Sequence, residues 1–370
     1  MGESVRRAAY PPYCRHEDKS DVERGGFVVQ SRLPHRETYR QEGSNLRIRR
    51  TVVCAAAALT ALPVLSGSRP TSLFAPIPSP AHVVIVVEEN RDSSQIIGSR
   101  AARFINSLAA DGKAALFTQS YALTHPSQPN YLTLFSGSDQ GVKNDHLPAG
   151  LPFSTMNLGA SLIESGRSFA GYSEDLPYAG FNGPVHGAYA RKHNPWANWQ
   201  DSPIRGIPAS ANLPLTDFPS EYDSLPTVSF VIPNQDNDMH NGSDPEAIMR
   251  ADKWLEEHLG TYIQWAKAHN SLFILTFDEG RDGGNNQILT LFVGQMIRGG
   301  KYDTRINHYS VLRTLEDMFG LPHAGGSASA KPVDGCWIVT PSASPTSPPA
   351  PESLRATRTC DSRPGGRHGS

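Results

Sequence analysis

The sequence has few cysteines and no excess of charge of either sign. Four of the 370 residues are cysteine, so a fold held together by disulfides is excluded. Cys14 and Cys54 precede the expected domain, which leaves Cys336 and Cys360 as a pair that could form in an oxidising compartment. The formal net charge is -2 with 38% hydrophobic residues, so the chain can bury a large core and gives no indication of nucleic-acid binding.

Long apolar runs are also missing. The longest candidate, Thr51–Leu65, has 15 residues, which is short for a membrane span. Arginines precede it and Ser66-Gly67-Ser68 follows it, so residues 47–70 resemble an export signal, with an uncleaved anchor as the alternative. We therefore expect a secreted or extracytoplasmic protein without a stable transmembrane anchor. A translation start placed too far upstream would explain the polar residues 1–46 in front of this segment.

Glycine and proline, in contrast, are plentiful, with 32 and 30 residues. They concentrate in two stretches, residues 176–226, which show little periodicity, and the Pro/Ser/Arg-rich tail 341–370. We predict that the tail is disordered. So long an irregular stretch inside a domain is usually functional. It contains the cationic and aromatic cluster Tyr189–Trp196, which could close over an anionic substrate. The catalytic domain is expected to span residues 78–340.

Three unbroken β-branched and apolar runs are typical of buried parallel strands: His82–Val87, Thr227–Ile232 and Leu272–Phe277. Helical periodicity lies between them, most clearly over residues 246–269, where one face is apolar. His258 and His269 lie off that face and are expected to be solvated. This order of elements predicts an α/β protein, a single three-layer α/β/α domain with a mostly parallel central sheet.

Polar residues follow each of these strands directly. The three ends carry Glu89-Asn90, Asp238 with His240, and Asp278-Glu279. Taken singly, each group is more often a solvated loop end, but the ends of parallel strands converge on one edge of the sheet. Hard oxygen ligands of this kind suit Mg²⁺, Mn²⁺ or Ca²⁺, while the imidazole would also admit Zn²⁺ or Fe. We therefore expect a divalent metal ion, of open identity and number.

Ser127 stands between two prolines that constrain its backbone, Pro126 and Pro129. We predict that it lies on a turn before a helix over Asn130–Phe135, where free N–H groups suit a phosphate or a developing alkoxide. The alternative is an N-cap serine without chemistry. No G-x-S-x-G elbow surrounds it, so the combination with a metal favours phosphoryl over acyl transfer.

Five segments together carry a family pattern: His82-Val83-Val84-Ile85-Val86-Val87-Glu88-Glu89-Asn90, His125-Pro126-Ser127-Gln128-Pro129-Asn130-Tyr131, Lys192-His193, Asn237-Asp238-Met239-His240 and Thr276-Phe277-Asp278-Glu279. In this order, from about residue 80 to about 338, they resemble the bacterial phosphoesterase family of acid phosphatases and phospholipases C. The resemblance implies an alkaline-phosphatase-like α/β/α fold. Phosphatases of this group often have a second acid after Asp-Glu, whereas this chain has Gly280-Arg281 there. The number of acids in the site can therefore differ from that of the family.

The resemblance also implies roles for individual residues. Ser127 would be the nucleophile that accepts the phosphate, while His240 and His193 would contact the phosphoryl oxygens or protonate the leaving group. The expected metal ligands are Glu89, Asn90, Asp278 and Glu279. The expected substrate-binding residues are Asn130, Lys192 and Asp238. The position of His308 is also familiar, and it is either a capping histidine of the last helix or part of the site.

These observations predict an exported phosphomonoesterase of acid-phosphatase type that works through a phosphoserine on Ser127. The resemblance implies a phosphorylated small molecule or a phosphoinositide headgroup as the substrate, with phosphatidylinositol 3-phosphate as one candidate. A phospholipase C-type phosphodiesterase on the same scaffold is the alternative. A catalytically inactive binding protein is a third reading, although the nucleophile and the acids at the strand ends are all present.

Overall fold

The computed structural model describes residues 76–338 of the chain. The predictions for residues 1–46, 47–70 and 341–370 fall outside this range, as does Cys360 and therefore its pairing with Cys336. Across the described residues, no helix combines the length and the apolar character needed to cross a membrane.

The elements follow the order that the sequence predicts. The strands are β1 (His82–Glu88), β2 (Ala114–Phe117), β3 (Ser120–Tyr121), β4 (Phe169–Ser173), β5 (Val185–His186), β6 (Tyr189–Ala190), β7 (Asn212–Pro214), β8 (Val228–Ile232), β9 (Ser271–Phe277), β10 (Thr290–Gly294), β11 (Gly300–Tyr302) and β12 (Ile306–Asn307). The α-helices are α1 (Ser93–Ile96), α2 (Arg103–Ala109), α3 (Ser127–Ser136), α4 (Leu158–Glu164), α5 (Glu246–Ala266) and α6 (His308–Phe319).

One eight-stranded sheet forms the centre, in the order β11-β2-β10-β9-β1-β8-β4-β7. Strand β1 pairs in parallel with β8 on one side and β9 on the other. Strand β10 runs antiparallel to both of its neighbours, β9 and β2. The prediction of a mostly parallel sheet is therefore confirmed.

Helices cover both faces of this sheet, because the central strands alternate their apolar side chains between two cores. Ile85 of β1 packs in one core with residues of α3, α4 and α6. Val86, its neighbour in the strand, packs in the other core with residues of α1, α2 and α5. The three-layer α/β/α arrangement is thus confirmed. The predicted apolar face of α5 is buried, while His258 and His269 are exposed as expected.

Helix α3 begins one turn earlier than the sequence suggested. Its first residue is Ser127, and Pro126 occupies the N-cap position without a side-chain hydrogen bond. Pro129 lies in the first helical turn, where a missing N–H costs nothing because it has no partner inside the helix. Ser127 therefore belongs to the helix, and the prediction that it lies on a preceding turn is wrong.

The aromatic members of the cluster at residues 189–196 belong to the core. Trp196 is fully buried, and a Cβ on Gly171 of β4 would lie 2.0 Å from its ring, so the strand leaves room for the indole. Tyr189 is also buried, and its hydroxyl accepts a hydrogen bond from Asn194. The expectation that these rings could close over a substrate is wrong. Of that cluster, Lys192 and His193 reach the polar ends of the strands.

Candidate active site

The site lies where β1, β8 and β9 end side by side. The backbone joins these ends: the Glu89 N–H donates to the Asp238 carbonyl at 2.8 Å, and the Asp278 N–H donates to the Glu88 carbonyl at 3.0 Å. The parallel register thus carries three polar segments to one edge of the sheet. Every residue that the sequence analysis placed in the site lies in the network of contacts described below.

Ser127 occupies the N-terminus of α3 and faces two carboxylates. Its hydroxyl donates to Oε2 of Glu89 at 3.2 Å and lies 3.4 Å from Oε1 of Glu279. The side chain therefore bonds to acids of two other segments and caps no helical N–H, so the N-cap interpretation is wrong. At a helix start, the free N–H groups and the positive end of the dipole favour an anion beside this hydroxyl.

Glu89 forms a buried ion pair with His193. Its Oε1 lies 2.7 Å from Nε2 of the imidazole, and both side chains are almost fully removed from solvent. Burial by itself would raise the pKa of Glu89, but the charge of His193 outweighs it and lowers that pKa to about 2. Burial likewise opposes the charged ring, yet Glu89 and Asp238 raise the pKa of His193 to about 9. Glu89 is therefore an ionised acceptor for the Ser127 hydroxyl.

Asp238 lies behind His193, with its Oδ2 3.2 Å from Nδ1 of the ring. Its other oxygen accepts the backbone N–H of His240 at 2.8 Å. Asp238 is fully buried, so its contacts favour a role in orienting the two histidines over direct substrate binding, the role that the resemblance implied. Tyr131 of α3 covers another side of His193, because the two rings stack with their centroids 5.1 Å apart.

His240 and Lys192 form the more open side of the site. The Nζ of Lys192 lies 3.1 Å from Nε2 of His240 and 2.9 Å from Oδ2 of Asp145. Asp145 also accepts the backbone N–H of Gln128 at 3.0 Å. Asp145 thus links Lys192 to the first turn of α3, next to Ser127.

Asp278 and Glu279 close the opposite side. Oδ1 of Asp278 accepts the backbone N–H of Glu279 at 2.6 Å and that of Asn90 at 3.3 Å, while its Oδ2 has no hydrogen-bond partner. Burial, followed by the charges of Glu89 and Glu279, raises the pKa of Asp278 well above its usual value. Burial and the charges of Glu89 and Asp145 raise the pKa of Glu279 to about 8. The site therefore contains more carboxyl groups than its positively charged side chains can stabilise in ionised form.

Asn130 holds the turn that leads into α3. Its side-chain oxygen accepts the N–H groups of Leu123 and Thr124, and its amide nitrogen donates to the Thr124 carbonyl. The same nitrogen lies 3.5 Å from Oε2 of Glu279. These contacts favour a positioning role for Asn130, since most of its polar capacity is already used.

The arrangement fits a divalent cation. Glu89, His193 and His240 each offer a ligand atom, and these atoms lie within 4.8 Å of one another. Two buried oxygens of the site have neither a hydrogen-bond nor an ion-pair partner: Oδ2 of Asp278 and Oδ1 of Asn90. Orphaned ligand atoms beside crowded carboxyl groups are what a cation would satisfy. Mixed carboxylate and imidazole donors admit Zn²⁺ or Fe as well as Mg²⁺ and Mn²⁺.

This donor group differs from the one expected from the resemblance. Glu89 is common to both, but two histidines take the places given to Asn90, Asp278 and Glu279. Those three residues lie against the same centre from the side of β9 and the Ser127 hydroxyl. The sequence could not rank the two groups, because only the fold decides which side chains approach one another.

The sequence analysis did not identify Asp145, and it gave Tyr131 no role in the site. Asp145 lies in an irregular connection between α3 and α4 with no strand end or motif to mark it. Tyr131 falls within the family segment around Ser127 but carries no charge that would suggest a site role. No signal in the sequence identifies Asp145, whereas the spacing of Ser127 and Tyr131, one helical turn apart, places both on one side of α3.

His308 lies outside the site and does not cap its helix. Asn307 provides the cap, accepting the N–H of Ser310. The His308 ring is buried, and its Nε2 lies 3.0 Å from the carbonyl oxygen of Phe277, the residue before Asp278. Burial lowers the pKa of His308 to about 4. The ring therefore serves as a neutral anchor for the end of β9, and the capping interpretation is wrong.

Comparison with known proteins places the chain among phosphate-ester hydrolases. Residues 99–322 match the model of the Phosphoesterase family. The chain is 47% identical over 266 residues to a phosphatidylinositol-3-phosphatase of Mycobacterium tuberculosis, across 70% of this chain and 84% of that protein. It is 31% identical to a phosphate-repressible acid phosphatase of Penicillium chrysogenum, across 60% of this chain and 55% of that one.

Among solved structures, the chain is similar to a protein of the alkaline phosphatase superfamily from Vibrio parahaemolyticus. The two are 14% identical with a TM-score of 0.47, over 70% of this chain and 72% of that one.

Proposed function

This chain belongs to the phosphoesterase family and is a hydrolase of phosphoric esters, and we propose that it removes phosphate from monoesters with Ser127 as the nucleophile. One observation carries the assignment of the nucleophile. The Ser127 hydroxyl stands at the N-terminus of α3, within hydrogen-bonding distance of Glu89 and Glu279. Because the Ser127 hydroxyl bonds to these two acids, it does not cap the N-terminus of α3.

We propose a reaction in two steps. In the first, Ser127 Oγ forms a bond to phosphorus, the bond from phosphorus to the leaving oxygen breaks, and the serine proton passes to the neighbouring acids. The departing alcohol takes a proton from His240, which is the more exposed of the two histidines. In the second step, water attacks the phosphoserine and gives a proton to His240, the bond from phosphorus to Oγ breaks, and Ser127 takes its proton back from the neighbouring acids as phosphate is released.

The remaining groups bind and orient. Lys192 carries a positive charge beside His240 and is placed to pair with a phosphoryl oxygen. His193 is enclosed by Glu89, Asp238 and Tyr131 and holds Glu89 in place. A divalent cation bound by Glu89, His193 and His240 would supply positive charge that favours ionised oxygens near it, and because His240 would then be a ligand, the departing alcohol would take its proton from water. This proposal replaces part of the ligand group that the resemblance implied.

The substrate that we propose is a monophosphate of a hydroxylated alcohol, with a phosphoinositide headgroup as the leading candidate. The support is the identity of 47% to a phosphatidylinositol-3-phosphatase. The fungal relatives are named acid phosphatases, which favours activity on several monoesters. The chain spans 58% and 55% of those two fungal proteins, so they inform the reaction class more than the substrate.

The test is phosphate release from p-nitrophenyl phosphate, phosphoinositides and soluble monoesters, with and without a chelator. We expect wild-type turnover and a loss of several orders of magnitude in Ser127→Ala, because the nucleophile is removed. Ser136→Ala is the matched control, since Ser136 is a buried serine at the other end of α3. Full activity in Ser127→Ala contradicts the mechanism.

Two other results would change the proposed function. Faster release of diacylglycerol from phosphatidylcholine than of phosphate from monoesters would identify a phospholipase C. Failure to hydrolyse any phosphoester with each divalent metal added would identify a binding protein.

We also propose that the protein is exported, on the basis of residues 47–70. Sequencing the N-terminus of protein recovered outside the cytoplasm should find that this segment has been removed. Recovery of the protein in the cytoplasmic fraction with the segment intact would contradict export.

A further inference from the structure

A cavity of about 160 Å³ opens beside Ser127. Its wall includes Gln128, the residue after the nucleophile, and Lys192, which contacts His240. Ser127, Glu89 and Asp278 are not among its lining residues, so the cavity adjoins the position of the phosphoryl group without containing it. On the basis of the proposed function, we infer that it is the subsite for the alcohol half of the monoester and that it takes a single cyclic polyol.

Part of the cavity wall is apolar. Leu147 and Val185 line it while remaining 57% and 63% exposed, and Pro184 and Ala190 contribute further carbon atoms. Large apolar side chains left this open gain free energy when a ligand covers them. A hydroxylated six-membered ring offers C–H surfaces that can make this contact, which an open-chain polyol of fewer carbons offers to a smaller extent.

The rest of the wall is polar and includes Arg191. The residue is 5% exposed. It donates to the carbonyls of Asn182 and Ala197, its Nε has no hydrogen-bond partner, and no ion pair with a carboxylate is found among the described residues. A buried cation that is satisfied only by neutral oxygens attracts further electronegative atoms. The positive charge of Arg191 at the wall therefore favours the oxygen atoms of ring hydroxyls that enter the cavity, with Gln235 as an additional polar group.

The size of the cavity limits what enters it. A volume of about 160 Å³ is well below the roughly 300–1,000 Å³ of pockets for drug-sized ligands. One small ring fits this space, whereas the acyl chains of a lipid would have to remain outside. Leu147 and Val185 therefore discriminate between leaving alcohols after the site has selected a phosphate.

The experiment compares two probes, myo-inositol 1-phosphate and glycerol 3-phosphate, in the full-length protein. The ratio of their kcat/KM values measures the contribution of the ring. We expect Leu147→Ser and Val185→Ser each to lower this ratio about fivefold to tenfold, where tenfold corresponds to about 1.4 kcal/mol. Ile204→Ser is the control, because Ile204 is an equally exposed apolar residue, at 60%, that does not line the cavity.

An unchanged ratio in both variants would overturn the subsite, even if every enzyme hydrolyses both probes. If the wild-type protein hydrolyses neither of these probes nor p-nitrophenyl phosphate or a phosphoinositide with any divalent metal added, the proposed function fails, and binding still tests the subsite separately. Calorimetry should then find tighter binding of myo-inositol 1-phosphate than of glycerol 3-phosphate, with the preference reduced in Val185→Ser. Equal binding of the two probes would overturn the inference.

Discussion

The Nζ atom of Lys192 lies 3.1 Å from Nε2 of His240, which brings an ammonium group to the open side of the buried acids. The position of Lys192 is fixed from the other direction by Asp145, 2.9 Å away. Since Asp145 also accepts the N–H of Gln128, one carboxylate sets the distance between the lysine and the start of α3. Three parts of the chain that are remote in sequence thus define the entrance to the site.

Replacing Asp145 should loosen this lysine. We expect Asp145→Asn to raise KM for p-nitrophenyl phosphate about fivefold with a smaller change in kcat, because a partly exposed ion pair contributes up to about 1 kcal/mol. Steady-state kinetics provide the measurement. Asp111→Asn is the matched control, since Asp111 forms a comparable pair with Lys267 at 2.7 Å in another part of the molecule. A change in kcat alone would contradict a role in positioning Lys192 for binding.

Asp238 should tune metal affinity through His193. Because its carboxylate orients the ring from behind, Asp238→Asn should weaken binding of Mn²⁺ or Zn²⁺ by roughly 10–100-fold. Calorimetric titration of the metal-free protein measures this directly, with Asp236→Asn, at an exposed position two residues earlier, as the control. Unchanged affinity would favour the ligand group of Glu89, Asn90, Asp278 and Glu279, which does not include His193.

His308 should make the fold sensitive to acid. Its pKa is about 4 in the folded protein, compared with about 6.5 in an unfolded chain. Between these values the unfolded state binds the additional proton, so the stabilisation is complete above pH 6.5 and is lost as the pH falls towards 4. The loss amounts to about 3 kcal/mol.

Urea unfolding of the wild type and of His308→Gln at several pH values tests this prediction. The variant should lose less free energy of unfolding between pH 7 and pH 4 than the wild type does. His269→Gln, at an exposed position, should follow the wild-type curve. Identical curves for the wild type and His308→Gln would contradict a neutral buried ring.

Much of the fold could be predicted because local pattern and tertiary position agree in the centre of the sheet. Every residue of the run His82–Val87 after His82 is apolar, which predicts a strand that is covered on both faces, as β1 is. The start of α3 was harder to place, because Pro129 suggests a turn until it is recognised as a residue of the first helical turn. The cluster at residues 189–196 led to a wrong expectation for a related reason. Its cationic and aromatic composition is typical of a binding site, but Trp196 is buried in the core.

The sequence by itself determined the α/β class, the polar ends of the three strands and the serine between two prolines. Each of these follows from short-range chemistry: periodicity, backbone restriction and the change from apolar to charged residues. Only the tertiary structure decided that His193 pairs with Glu89, that Asp145 holds Lys192 and that His308 anchors β9. Those contacts join segments about 30 to 105 residues apart in the sequence, and no local pattern encodes them, because they depend on how the strands and helices pack.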